Sequence, residues 1–129
     1  MGKQKQKSKA PEQMNEKCYL LKVVAEQNRE RILDYDVDQD TVKIYCIVDG
    51  QFKTLHEVSD YIKGDGFGKY FIDPEDIDNY RKALEVCLTE PCSQLVDVRY
   101  HDKGAKNEWY RAYLNSLTDD KGKIVRIVG

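Results

Sequence analysis

No stretch of the 129 residues is apolar for long enough to span a bilayer. The N-terminus is basic but has none of the hydrophobic run that a signal peptide needs. Position 6 is Gln6, not the Ser or Thr of an N-myristoylation site. Histidine is scarce: His56 and His101 are the two, and neither stands beside a Ser or Cys nucleophile in a recognisable motif. No nucleophile–base–acid constellation follows, so the chain reads as a non-enzyme with no catalytic residues. The four cysteines, Cys18, Cys46, Cys87 and Cys92, make no CxxC pair and no zinc-site spacing. They read as free thiols of a reducing, cytoplasmic compartment, with no metal site. A basic surface is also missing. Lys3, Lys5, Lys7 and Lys9 sit in the first eleven residues with no acid, so the remainder carries −6 against −2 for the whole chain. An acidic body argues against nucleic acid as the partner.

What is present suits one domain with a wet surface: 40% hydrophobic and 34% charged residues. Residues 1–11 read as a disordered basic tail ending at Pro11. Residues 12–30 read as an amphipathic helix, with Met14, Cys18, Leu21 and Ala25 in a short heptad-like seam that could pack on its own domain or, in a dimer, on a second copy. The period then changes. Leu33, Tyr35 and Val37 alternate with Asp34, Asp36 and Asp38, and the run Val42, Ile44, Cys46 and Val48 alternates with Lys43 and Tyr45, which predicts an antiparallel hairpin. A short helix is expected over 55–62, from Leu55, Val58 and Ile62, and a loop over the glycine-rich residues after it.

The next helix carries the strongest signals. Asp73 can cap it, Pro74 suits its first position, Glu75 and Asp76 suit the positive end of its dipole, and Pro91 stops it. Three strands follow, around residues 93–101, 108–117 and 123–129. The order gives an α+β domain: a five-stranded antiparallel sheet with helices on one face, preceded by an N-terminal helix. Two motif-like stretches do not hold. "DYDVDQD" starts like a calcium loop, but Thr41 and Ile47 stand where Gly and Glu are needed. "GDGFG" lacks the phosphate-loop spacings.

Three stretches resemble the PAS sensor family over residues 31–129. These are "ILDYDVDQDTVKIY", "FIDPEDIDNYRKAL" and "VRYHDKGAKNEWYRAYLNSLTDDKGKIVRIVG". The style is similar to PAS domains that precede GGDEF-type diguanylate cyclases in bacteria. The resemblance implies a sensory module that dimerises, binds a small molecule and relays a signal to a C-terminal effector, here a cyclic-di-GMP enzyme. It implies a last strand lying centrally, beside the first, so Lys123–Gly129 reads as the point from which a linker to that effector continues. Haem is disfavoured because the long helix has no His, leaving His56 as the one alternative ligand. A light-sensing flavin is disfavoured because no Cys lies in the reactive motif. Inward-facing candidates for a ligand pocket are Leu33, Tyr35, Ile44, Tyr80, Leu84, Val98, Trp109 and Tyr113. The same residues could simply fill the core, which gives the alternative of a ligand-free structural relay. A cystatin-like, cone-shaped α+β binding protein or enzyme is a further alternative, disfavoured by helices inserted after the first hairpin.

Overall fold

The computed structural model describes residues 16, 19–64, 67, 70–102 and 104–129. The basic tail, Met14 and Cys18 lie outside the described residues. The fold is α+β, with one antiparallel sheet of six strands instead of the five expected. The strands are β1 (Ile32–Asp36), β2 (Thr41–Val48), β3 (Gln51–Val58), β4 (Ser93–Tyr100), β5 (Glu108–Thr118) and β6 (Ile124–Val128). Their order across the sheet is β3-β2-β1-β6-β5-β4. The last strand therefore lies beside the first, as expected, and Gly129 closes the pairing with two backbone hydrogen bonds to Leu33, at 2.7 and 3.0 Å.

The additional strand is β3, which replaces the helix expected over 55–62. Asp49 and Gly50, both at positive φ (50° and 73°), turn the chain tightly between β2 and β3. An Asp-Gly pair in that conformation matches the right-handed twist of paired strands. The turn thus directs residues 51–58 back along β2, which overrides the spacing of Leu55, Val58 and Ile62.

The chain divides into two compact units, one of residues 1–31 and 46–53, the other of 32–45 and 54–129. In the first unit, helix α1 occupies residues 19–27, shorter at its C-terminal end than the 12–30 anticipated. Arg29 takes a left-handed φ of 54°, its amide bonds Glu26 O at 3.2 Å, and the Glu30 amide bonds Ala25 O at 2.9 Å. That paired closure ends a helix whichever residues follow. Glu26 accepts the Gly50 amide at 3.0 Å, and Lys22 Nζ lies 4.9 Å over the Phe52 ring.

In the second unit, the Asp73 carboxylate accepts the Glu75 amide at 3.0 Å and starts a 3-10 turn, Pro74–Asp76, that runs into α2 (Ile77–Thr89). One face of α2, with Tyr80, Ala83, Leu84 and Cys87, is buried. It packs with Leu33, Tyr35, Val42, Ile44, Val98, Tyr100, Leu114 and Ile127 from the sheet. Asp76, 8% exposed, ties the start of the helix to β4. It receives Arg99 Nε at 2.9 Å, Arg99 Nη2 at 3.0 Å and the Arg99 amide at 2.8 Å. These Arg99 hydrogen bonds hold the Asp76 carboxyl below its usual range.

Candidate functional site

Beneath α2 the second unit builds an aromatic nest. Phe67 lies 4.8 Å from Tyr61 and 5.6 Å from Tyr80 between ring centroids, and Phe71 stacks on Tyr61 at 5.9 Å. Tyr61 and Tyr80 share a hydrogen bond between their hydroxyls at 3.0 Å. The Arg81 guanidinium sits 4.4 Å over the Phe67 ring. Tyr35 closes the far side, 6.0 Å from Tyr61. Burial raises all three phenols, Tyr35, Tyr61 and Tyr80, above their ordinary value. They therefore stay neutral at physiological pH. A neutral phenol can donate and accept hydrogen bonds, but it is a poor nucleophile or base.

The wall of the nest is pinned by Asp40, 4% exposed and at φ 50°. Its carboxylate accepts Tyr35 Oη at 2.5 Å, the Ile62 amide at 3.0 Å and the Lys63 amide at 3.1 Å. Its carbonyl accepts the Tyr61 amide at 2.9 Å. Burial on its own raises the carboxyl, but the bonds from Tyr35, Ile62 and Lys63 outweigh it and hold the group below its usual value. One acid thus fastens the turn after β1 to the turn at residues 60–63. Gly64 completes that turn, since a Cβ there would stand 2.4 Å from Asp60 O.

Six of the eight residues proposed from the sequence as pocket lining are in this core: Leu33, Tyr35, Ile44, Tyr80, Leu84 and Val98 are all buried. Trp109 and Tyr113 are not. They are 67% and 61% exposed, on the sheet face opposite α2. Their strand runs with the other parity, because Tyr110 and Leu114 are the residues opposite Val98 and Gln94. A shift of one residue moves every side chain of a strand to the other face. The nest residues that sequence reasoning missed are Tyr61, Phe67 and Phe71. Each is a large aromatic in the stretch read as a short helix and loop, and that density of aromatics was the available signal.

Two of the four seam residues, Leu21 and Ala25, lie among the described residues. Leu21 is 70% exposed, but Ala25 is 7% exposed and turned inward, so the two do not share a free stripe. The exposed apolar residues of α1 are Tyr19, Leu20, Leu21 and Val24.

His56 lies on β3, with its side chain 8% exposed. Its ring packs 5.1 Å from Phe71 and edge-on to Tyr100 at 6.0 Å. Its Nε2 is 4.0 Å from Asp102 Oδ1, which also accepts the Tyr100 hydroxyl at 2.6 Å. Beside it, Leu55, Glu57, Val58, Ser59 and Tyr70 line a shallow, open concavity of about 380 Å³. Cys87 and Cys92 bring their sulfurs to 4.0 Å; burial, then the neighbouring thiol, push Cys87 up to about 11. Among the described residues no group of three or more His, Cys, Asp or Glu is placed to hold a metal ion. No helix among them is long and apolar enough to cross a membrane. No family model matches the chain, and neither a curated protein nor a solved structure gives a match.

Proposed function

We propose that the chain is a PAS-type sensory or regulatory module of a bacterial signal-transduction protein. It is cytoplasmic and non-enzymatic, forms a homodimer, and passes its signal to a C-terminal effector such as a diguanylate cyclase. The observation that carries this reading is the sheet order, with β6 inserted between β1 and β5 and α2 laid across one face. That arrangement supports the resemblance stated from the sequence, with β3 as an addition at one edge. It counts against the cystatin-like alternative, in which the long helix precedes the strands. The nest under α2 is the site for a small ligand: aromatic walls for stacking, three neutral hydroxyls, and a guanidinium at the rim.

One observation favours a second reading, the ligand-free relay. The nest satisfies itself, because Tyr61 bonds Tyr80, Tyr35 bonds Asp40, and the rings pack on one another. Native mass spectrometry and an absorbance scan of the purified full chain separate the two. A co-purifying molecule, displaced in the Tyr80→Ala variant, supports sensing. A clean apo mass and spectrum, with no ligand-induced shift in melting temperature, sinks the sensing reading and leaves the relay.

A further inference from the structure

The far end of α2 from the nest brings two thiols together. Cys87 closes the buried face of α2 and is fully buried. Cys92 lies just before β4 and is half-buried. Both are free, and at 4.0 Å their sulfurs are too close for a water to stand between them. One residue of β5 fixes this approach from both sides. The Ser116 hydroxyl donates to Cys87 O at 2.5 Å and accepts the Cys92 amide at 3.3 Å, and the Ser116 amide donates to Cys92 O at 3.0 Å. Pro91, in the short connection between the two cysteines, adds a locked φ. A disulfide needs its sulfurs at about 2 Å, so closure asks for an approach of about that same length.

The two thiols differ in the way an exchange reaction requires. Cys92 can be reached from solvent, and Gln94 Nε2 lies 3.9 Å from its sulfur as a donor to the thiolate. Cys87 is closed to solvent, and its thiol donates to Leu114 O at 3.6 Å. A small oxidant therefore meets Cys92 first, and the sulfur next in line is Cys87. We propose that Cys87 and Cys92 form a reversible dithiol–disulfide couple, oxidised by a low-molecular-weight disulfide of the glutathione kind. In the first step the Cys92 thiolate attacks one sulfur of the oxidant. A mixed disulfide forms, the oxidant's S–S bond breaks, and the departing thiolate takes up the proton that Cys92 released. In the second step the Cys87 sulfur attacks Cys92 Sγ. The bond between the two protein sulfurs forms, the mixed disulfide breaks, and the second small thiolate leaves with the Cys87 proton. Two protein thiols lose two electrons, and one small disulfide is reduced to two thiols. In a reducing compartment such a bond is transient and serves as a redox signal. It ties the last turn of α2 to the start of β4.

The couple depends on neither the ligand nor the dimer of the proposed function, so a clean apo mass in the ligand test leaves it standing. Its own test exposes the reduced full chain to oxidised glutathione and follows intact mass and the map of alkylated peptides. The expected course is a glutathione adduct at Cys92 that decays to a species two hydrogens lighter than the reduced chain. In that species Cys87 and Cys92 are linked, and dithiothreitol restores the starting mass. Burial keeps Cys87 protonated near neutrality, so decay of the adduct is the slow step and should quicken about tenfold for each pH unit above neutrality. Cys87→Ala should stop at the adduct. Cys92→Ser, at the half-buried position, should give neither species while keeping the circular dichroism of the parent; if Cys87→Ala does not fold, the parent and Cys92→Ser decide the matter. An adduct that persists in the parent overturns the couple. So does a Cys92 that fails to react, or one that links to Cys18, to Cys46 or to a second chain instead of to Cys87.

Discussion

Replacing Asp40 tests whether one buried carboxylate holds the nest together. Asp40→Ala removes the acceptor for Tyr35 Oη and for the Ile62 and Lys63 amides. Each buried donor left without a partner costs about 1–3 kcal/mol. The Tyr35 hydroxyl and the amides can recover part of that through water, so the expected loss is about 3 kcal/mol. Asp40→Asn keeps the shape and tolerates the left-handed φ of 50°. It loses the charge and sets an NH2 group against one of the amides, for a loss of about 1.5–2 kcal/mol. Urea unfolding gives both values, provided the slope with denaturant stays that of the parent. The pH dependence supplies a second reading. The folded-state carboxyl is held below its usual value, so its contribution is present above the unfolded value of about 3.9. It is lost as pH falls through the lower, folded value. The difference in stability between the parent and Asp40→Asn should therefore be constant near neutrality and shrink below about pH 4. A loss under about 1 kcal/mol for Asp40→Ala, or a difference that does not shrink in acid, refutes the account.

Three further outcomes follow from the geometry. Gly129→Ala should destabilise by about 1–3 kcal/mol in thermal or urea melts, because a Cβ there would stand 1.9 Å from Tyr113 O, a backbone atom that cannot step aside. In a native-state thiol titration near pH 8, Cys92 should react before Cys87, whose thiol is fully buried and pushed up to about 11; Cys92→Ser should abolish the faster of these two phases. On the alkaline side, Tyr35, Tyr61 and Tyr80 are raised by burial, so their contribution is complete below the unfolded value of about 10 and fades above it. Phenolate absorbance from these three should appear only together with loss of the folded signal.

The parts of the fold that the sequence revealed are those where local chemistry and final structure agree. Asp73, Pro74 and the following acids announce the start of α2, and the structure uses Asp73 as the cap. The alternation of Leu33, Tyr35, Val42 and Ile44 located the first hairpin because one face of those strands is apolar and the other charged. β5 gave no such cue. Trp109, Tyr110 and Tyr113 are aromatic on both faces, so alternation could not say which side is inside; pairing with β4 decides it. The third strand was hidden for the opposite reason. Gln51–Val58 is an edge strand with mixed faces, and its spacing mimics a helix. The deciding signal was the Asp49-Gly50 pair, whose two positive φ angles specify a tight hairpin. The nest escaped notice because its members come from five separated stretches, and the Asp40 carboxylate that fastens them looks, in sequence, like one more acid in a polar turn.

The pairing of β1 with β6 also constrains how the chain is made. Asp34 and Arg126 are joined across 92 positions of sequence. As the polypeptide leaves the ribosome, β1 and β2 can pair early, and so can β4 and β5. Until residues 124–129 emerge, β1 and β5 each present an unpaired edge to the surroundings. Of the six strands β6 is thus the last to arrive, and docking it joins two preformed halves across a long loop, a slow step for sheets of this connectivity. Nascent chains stalled short of β6 should be the species that aggregate or recruit chaperones, and emergence of residues 124–129 should convert them to the protected sheet.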